Sequence, residues 1–190
     1  MMSSVIVTPP VLEPVTTAEV GSQLAIGGTD HTARVQRLIS LAREYVENYT
    51  GRALITQTWD YFADSFPKKI VLPKSPLQSV TTLKYTDTDG TQQTLDPSLY
   101  TVNTNADSGY IIPAYNEDWP DTRDVPDALE IRIVCGYGLT STTVPDVYRH
   151  AMLLLIGNWF ENTEETQPFS NNRIAFGVNA LLDQHRVWRV

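Results

Sequence analysis

A chain of 190 residues with 42% apolar residues can bury one large core or two small ones, which excludes a disordered polymer. Its 14 Lys and Arg against 22 Asp and Glu leave a formal charge of −8, which excludes a surface built to grip nucleic-acid phosphates. A single cysteine, Cys135, excludes an internal disulfide and a Cys-based zinc site and is compatible with a reducing cytoplasm; the longest apolar run, 151–157, is too short to span a bilayer.

Residues 1–15 are punctuated by Pro9, Pro10 and Pro14 and show no signal-peptide pattern. They read as extended, with Val5, Ile6 and Val7 adding a short edge strand or lying along the surface. Thr16 with Glu19 three residues on is a capping box and predicts a short helix over 17–26, stopped by Gly27 and Gly28. The strongest helical signal follows. Val35, Leu38, Ile39, Ala42, Val46 and Tyr49 recur at spacings of three and four, while Arg34, Arg37, Arg43, Glu44 and Glu47 fall largely off that stripe. Asp30 stands at the N-cap and Gly51 where a left-handed C-terminal cap forms, so this helix is expected over 31–50. Beyond Gly51 the period drops to two. Ile55, Trp59 and Tyr61 then share one side and Thr56, Thr58 and Asp60 the other, which predicts a half-buried strand.

From 54 to 138, turn residues at Pro67, Pro73, Pro76, Asp89-Gly90, Asp96-Pro97 and Gly109 divide the chain into about six short strands. The clearest hairpin pairs 79–85 with 91–95. The clearest single strand is 129–135, where Leu129, Ile131, Ile133 and Cys135 alternate with Glu130, Arg132 and Val134. Helical periodicity returns after Pro145, with Asp146 placed to complement the positive end of the helix dipole. Val147, Tyr148, Ala151, Leu154, Leu155 and Trp159 share a stripe, and Met152, Leu153, Ile156 and Phe160 extend it nearly all round, predicting a helix at the buried centre of the helical part. Residues 161–172 read as a polar loop, followed by a short last helix over 178–184 and the tail 185–190.

Motifs with chemical meaning fare poorly. Asp87, Asp89 and Gly90 have calcium-loop spacing, but Tyr85 stands where the first Asp ligand belongs and Asp96 where the bidentate Glu belongs, so 85–96 reads as a hairpin turn. Gly136-Tyr137-Gly138 ends a strand, yet Ser141 replaces the third glycine of a dinucleotide fingerprint. His31, His150 and His185 have no second His or Cys at ligand spacing, and no G-x-S-x-G elbow marks a nucleophile. No enzymatic activity, metal or cofactor is therefore expected. The stretch 111–124 combines Tyr115 and Trp119 with Glu117, Asp118 and Asp121. Such loops occur in carbohydrate- or receptor-binding modules of phage or secreted proteins, the alternative function for this chain. The two bracketing prolines favour instead aromatic anchors that pin the loop to the sheet or to a neighbouring subunit.

Three strings, YVENYTGRALITQTW, IIPAYNEDWP and VPDVYRHAMLLLIGNWFEN, together with PPVLEPVTTAEV at 9–20 and VNALLDQHRVWRV at 178–190, resemble the head-tail connector proteins of tailed bacteriophages. These are also called adaptor or head-completion proteins, and the likeness is to the subgroup with a β-rich insertion. It covers nearly the whole chain and is weakest over 162–176. The resemblance implies an α+β fold, a small helical bundle with an inserted antiparallel β-rich region. The parts would be 1–51 (N-terminal extension and two helices), 52–143 (the insertion) and 144–190 (third helix, loop and C-terminal arm). It further implies a structural virion protein of the neck, assembled in the host cytoplasm, with twelve copies in a ring under the portal joining capsid to tail. Its partners would be the portal, a tail-side stopper or terminator, further copies of itself, and double-stranded DNA passing without specific binding, with no membrane. The resemblance makes the C-terminus a portal-facing arm. There Arg186, Trp188 and Arg189, with Val190, form a cationic and aromatic cluster of the kind enriched at interface hot spots.

Overall fold

A computed structural model describes residues 2–25, 31–161 and 170–187. The elements in chain order are β1 (Ser3–Thr8), α1 (Thr17–Leu24), α2 (Thr32–Thr50), β2 (Gln57–Ala63), β3 (Ile70–Val71), β4 (Leu77–Thr86), β5 (Gln92–Thr94), β6 (Tyr100–Asn103), β7 (Tyr110–Pro113), β8 (Leu129–Cys135), α3 (Asp146–Glu161) and α4 (Ser170–Asp183). They divide into two compact units. One comprises Thr56–Gly136 with the strand before Val11; the other comprises Val11–Ile55 with the described chain from Tyr137.

In the helical unit, α1 opens with the expected capping box: Glu19 N–H donates to Thr16 Oγ1 at 3.2 Å and Thr16 N–H donates to Glu19 Oε2 at 2.7 Å. The Thr16 backbone N–H, together with its hydroxyl and Arg149, holds the Glu19 carboxyl below its ordinary value against the opposing effect of burial. Thr16→Ala should therefore cost about 1 kcal/mol, read as a lower melting temperature. The helix stops at Leu24 because Ala25 turns left-handed at φ 53° and donates to Gly21 O. The expected stop at Gly27 and Gly28 lies outside the described residues.

α2 follows His31, which makes no side-chain cap bond, while the expected cap Asp30 is outside the described residues. Its end is as the sequence requires: Gly51, at φ 73°, donates to Glu47 O. Val35, Ile39, Ala42 and Val46 are buried, and Leu38 and Tyr49 pack partly buried against the same core. α3 touches all three other helices and buries Tyr148, Ala151, Met152, Leu155 and Ile156. It is thus the centre of the bundle, as expected, with one apolar face left open at Leu154, 37% exposed. α4 begins at Ser170, well before the expected start at 178. The low helix propensity of Asn171, Asn172 and Gly177 is outweighed by packing, since Val178 and Leu182 further along are buried in the bundle.

The other unit holds a five-stranded antiparallel sheet in the order β1-β2-β8-β4-β5 and a three-stranded sheet in the order β3-β7-β6. β8 alternates buried and half-buried residues along its whole length, as its sequence predicts. β2 starts later than expected. Ala53, Leu54 and Ile55 are three successive fully buried residues, which strand alternation cannot produce, and Leu54 and Ile55 join the helical core. Asp60, expected on the polar side, is 7% exposed and is gripped by Arg132 Nε and Nη2 at 2.8 and 2.7 Å. Seven strands, rather than six, run from β2 to β8. The short pieces β3 and β5 carry too little alternation to be read from sequence. β1 pairs with β2 from Ser3↔Phe62 to Thr8↔Thr58. Residues 3–8 therefore form the edge strand that was one of the two readings of Val5–Val7, and they group with the sheet although the N-terminal extension was expected with the helices; a strand's partner is a tertiary choice that its own sequence does not record.

Candidate interaction surfaces

The stretches considered for chemistry are used by the fold. Asp87 Oδ1 accepts from the N–H groups of Asp89 and Thr91 at 3.1 and 2.8 Å, and Oδ2 accepts from Gln93 Nε2 at 2.9 Å. The Gln93 hydrogen bond, then Thr91, holds this carboxyl below its ordinary value, and its oxygens close the β4–β5 hairpin. His31 sits edge-on to Phe160 at 5.5 Å, His185 edge-on to Tyr148 at 5.7 Å, and His150 lies exposed on α3. Among the described residues no three His, Cys, Asp or Glu side chains are grouped to hold a metal. No helix among them is long and apolar enough to cross a membrane.

A polar network that sequence reasoning missed ties the N-terminal segment of the helical unit to α2. Arg43 Nε donates to Glu13 Oε2 at 2.9 Å and its Nη1 to Glu47 Oε2 at 3.1 Å, while Leu54 N–H donates to Glu47 Oε1 at 2.8 Å. The i,i+4 pair Arg43–Glu47 is legible on a helix, but its burial beside Leu54 and the extended Glu13 is not.

The loop between β7 and β8 separates its two aromatic residues. Trp119 stacks flat on Phe66, with ring centroids 4.7 Å apart at 11°, and its Nε1 is buried without a hydrogen-bond partner. The stack packs this loop against the connection between β2 and β3. Tyr115 is 93% exposed at a turn closed by Glu117 N–H donating to Ala114 O, with Asn116 left-handed at φ 62°. That turn is held in turn by Ala114 N–H on Leu99 O at 3.0 Å. The turn that carries Tyr115 is thus fixed through its backbone, while the ring itself stands in solvent.

The C-terminal stem is also fixed. Val187 N–H donates to Thr50 O and Arg52 Nε to His185 O, both at 2.8 Å, and the Arg186 guanidinium lies over the Tyr49 ring at 5.3 Å. Tyr49 Oη donates to Asp183 at 2.6 Å, which pushes its phenol pKa up. Of the four residues singled out for docking, Arg186 is placed on this stem, while Trp188, Arg189 and Val190 lie outside the described residues.

Exposed apolar side chains collect in two places. On the helical unit Val11 and Leu12 are exposed, and Leu12 borders a groove of ≈ 470 Å³ whose lining mixes Val15 and Ile39 with Glu13, Thr16, Gln36 and Ser40. On the sheet unit, Val5, Ile6 and Val7 of β1 are 57%, 41% and 42% exposed. Charge is uneven as well. Residues 56–136 hold six Lys and Arg against twelve Asp and Glu, and residues 11–55 with 137–190 hold eight against ten, so the sheet unit carries −6 of the −8.

Residues 15–112, just over half of the chain, match the family of phage gp6-like head-tail connector proteins. No curated protein sequence matches. Among solved structures, the chain is similar to one in the neck of an empty GTA particle computed with C6 symmetry, at 21% identity and TM-score 0.80, covering 100% of this chain and 97% of that one. It is similar to one in the virion of a native gene transfer agent (GTA) particle, at 22% identity and TM-score 0.80, covering 98% and 96%. A third, in the neck of a native GTA particle computed with C12 symmetry, shares 22% identity at TM-score 0.76, covering 100% and 97%. At such identities these three likenesses speak for the fold, and they agree with the α+β architecture of bundle and inserted sheet. With its family matched across α1, α2 and most of the inserted strands, the chain belongs to the gp6-like head-tail connector proteins, structural proteins that join head to tail.

Proposed function

We propose that this chain is the adaptor ring of a phage or phage-like virion neck: about twelve copies close under the portal, engage a stopper or terminator on the tail side, and leave a channel for DNA. The observation that carries this reading is the match of the whole chain to a neck chain of a particle computed with C12 symmetry, beside the family match. Assembly takes place in the host cytoplasm, no membrane is engaged, and the chain has no enzymatic activity. Twelve chains at −8 sum to roughly −100 charges, so the duplex is repelled from the wall rather than bound. The sugar-binding alternative loses its main support, because one face of Trp119 is spent on Phe66. Tyr115 serves as a contact between subunits.

In this reading Arg186, Trp188, Arg189 and Val190 dock on the portal. The fixed stem at Val187 supports it by presenting the last three residues from a rigid base. Mixing the protein with its portal and imaging by cryo-electron microscopy should show one added ring. Trp188→Ala with Arg189→Ala should keep the melting temperature within about 2 °C and abolish recruitment to the portal. Undiminished recruitment by that variant sinks the docking assignment, and a portal with no added ring sinks the adaptor reading.

A further inference from the structure

We propose that the five-stranded sheet continues from copy to copy, the free edge of β1 in one chain accepting the free edge of β5 in the next; this rests on the ring reading above. All six residues of β1 are exposed, and the strand pairs on one side only, with β2. Its outer N–H and C=O groups face no strand, and Val5 and Ile6 stand on opposite faces ahead of the irregularity at Val7.

Soluble proteins ordinarily protect such an edge with charge, proline, a bulge or a covering element. β1 has one irregularity, between Ile6 and Thr8, which leaves Ser3–Ile6 in regular register, and in charge the pattern is reversed. The interior strands carry the charged side chains, Asp60 on β2, Glu130 and Arg132 on β8 and Lys84 on β4, while the two edges, SSVIVT and QQT, carry none. Neither edge strand contains a proline. Uncharged β-branched strands left open are aggregation-prone, so a lasting partner is called for.

The occupant that fits is a second copy. Two chains at −8 repel, and contact is least costly where neither presents charge. β5 meets that condition: its three residues are exposed and uncharged, and Gln92 and Gln93 are held by Glu130 and Asp87 at 3.3 and 2.9 Å. Because β1 and β5 are different surfaces, the contact is head-to-tail and propagates into a ring, whereas β1 on β1 would stop at a dimer. Four antiparallel steps separate β1 from β5, so the two run in the same direction and the seam is a short parallel pair. Three residues per seam make each contact weak, and ring closure multiplies it.

The test uses necks purified from particles carrying the full chain with Val5→Cys and Gln93→Cys, treated with a short bis-maleimide whose reach tolerates a small shift of register. Cys135 is fully buried and stays unreacted. A covalent ladder rising to the ring size in the double variant, and absent from each single variant, is the expected result. Dimers from Val5→Cys alone, cross-links to another neck protein, or rings visible by electron microscopy without cross-links each overturn the seam and leave the ring standing. Necks with no ring of this chain overturn the reading beneath it. In parallel, Val5→Lys with Val7→Lys should leave the melting temperature within about 2 °C and lower ring occupancy by about tenfold; unchanged occupancy also overturns the seam.

Discussion

Replacing Glu47 by alanine is expected to destabilise the helical unit by about 3 kcal/mol, lowering its melting temperature by about 10 °C. Glu47 is 5% exposed, and its two carboxylate oxygens are spent on different partners, Leu54 N–H at 2.8 Å and Arg43 Nη1 at 3.1 Å. Truncation leaves a donor in a fully buried stretch without an acceptor and removes one of the two acids beside a guanidinium that is itself only 12% exposed. Burial is the largest influence on Arg43 and pulls its pKa down, but Glu47 first and Glu13 second overcome it and hold the pKa above its usual value. Glu13 remains in the variant, which keeps the loss below the top of the range for a broken buried pair. Glu47→Gln retains an acceptor for Leu54 and should cost about half as much. Thermal melts of the three proteins decide it. Equal melting temperatures would mean that water replaces the carboxylate at no cost and that the network does not hold α2 to the chain that follows.

Local periodicity accounts for what was legible in the sequence. The stripe of α2 and the strict alternation of β8 are properties of a few consecutive residues, and both appear in the structure where the sequence puts them. The misses share another cause. Ile55 looks like the first residue of a strand until Leu54 beside it is seen to be equally buried. The start of α4 is masked by asparagines and a glycine whose weak propensity packing overrides. Glu47 reads as a surface charge because its partner Leu54, and Glu13 that shares Arg43 with it, lie on segments that only the fold brings there. The same limit applied to the surfaces. Tyr115 and Trp119 are four positions apart and look alike in sequence, and only the stack on Phe66 separates the packed ring from the exposed one. That β1 is an edge follows from its pairing with β2 alone.

Excising Thr56–Gly136 together with the residues before Val11, and joining Ile55 to Tyr137 through two glycines, should leave a folded helical protein. The join spans little distance, because Tyr137 N–H donates to Leu54 O at 3.3 Å, so the chain ends created by the cut already lie side by side. Nothing in the helical core is lost: its buried members run from Val15 to Ile55 and from Val144 to Leu182. The polar ties remain as well, with Glu13 on Arg43, Tyr45 Oη on Asn179 at 2.8 Å and Val187 N–H on Thr50 O. A cluster of this kind, drawn from four helices and satisfied within itself, meets the conditions for independent folding. Circular dichroism of the shortened chain should show a helical spectrum without strand signal and a single cooperative melt. A disordered spectrum would mean that the bundle draws its stability from the sheet and that the two units fold as one. A helical spectrum without a cooperative melt would show a bundle that forms but does not pack, placing the missing energy in residues of the excised unit.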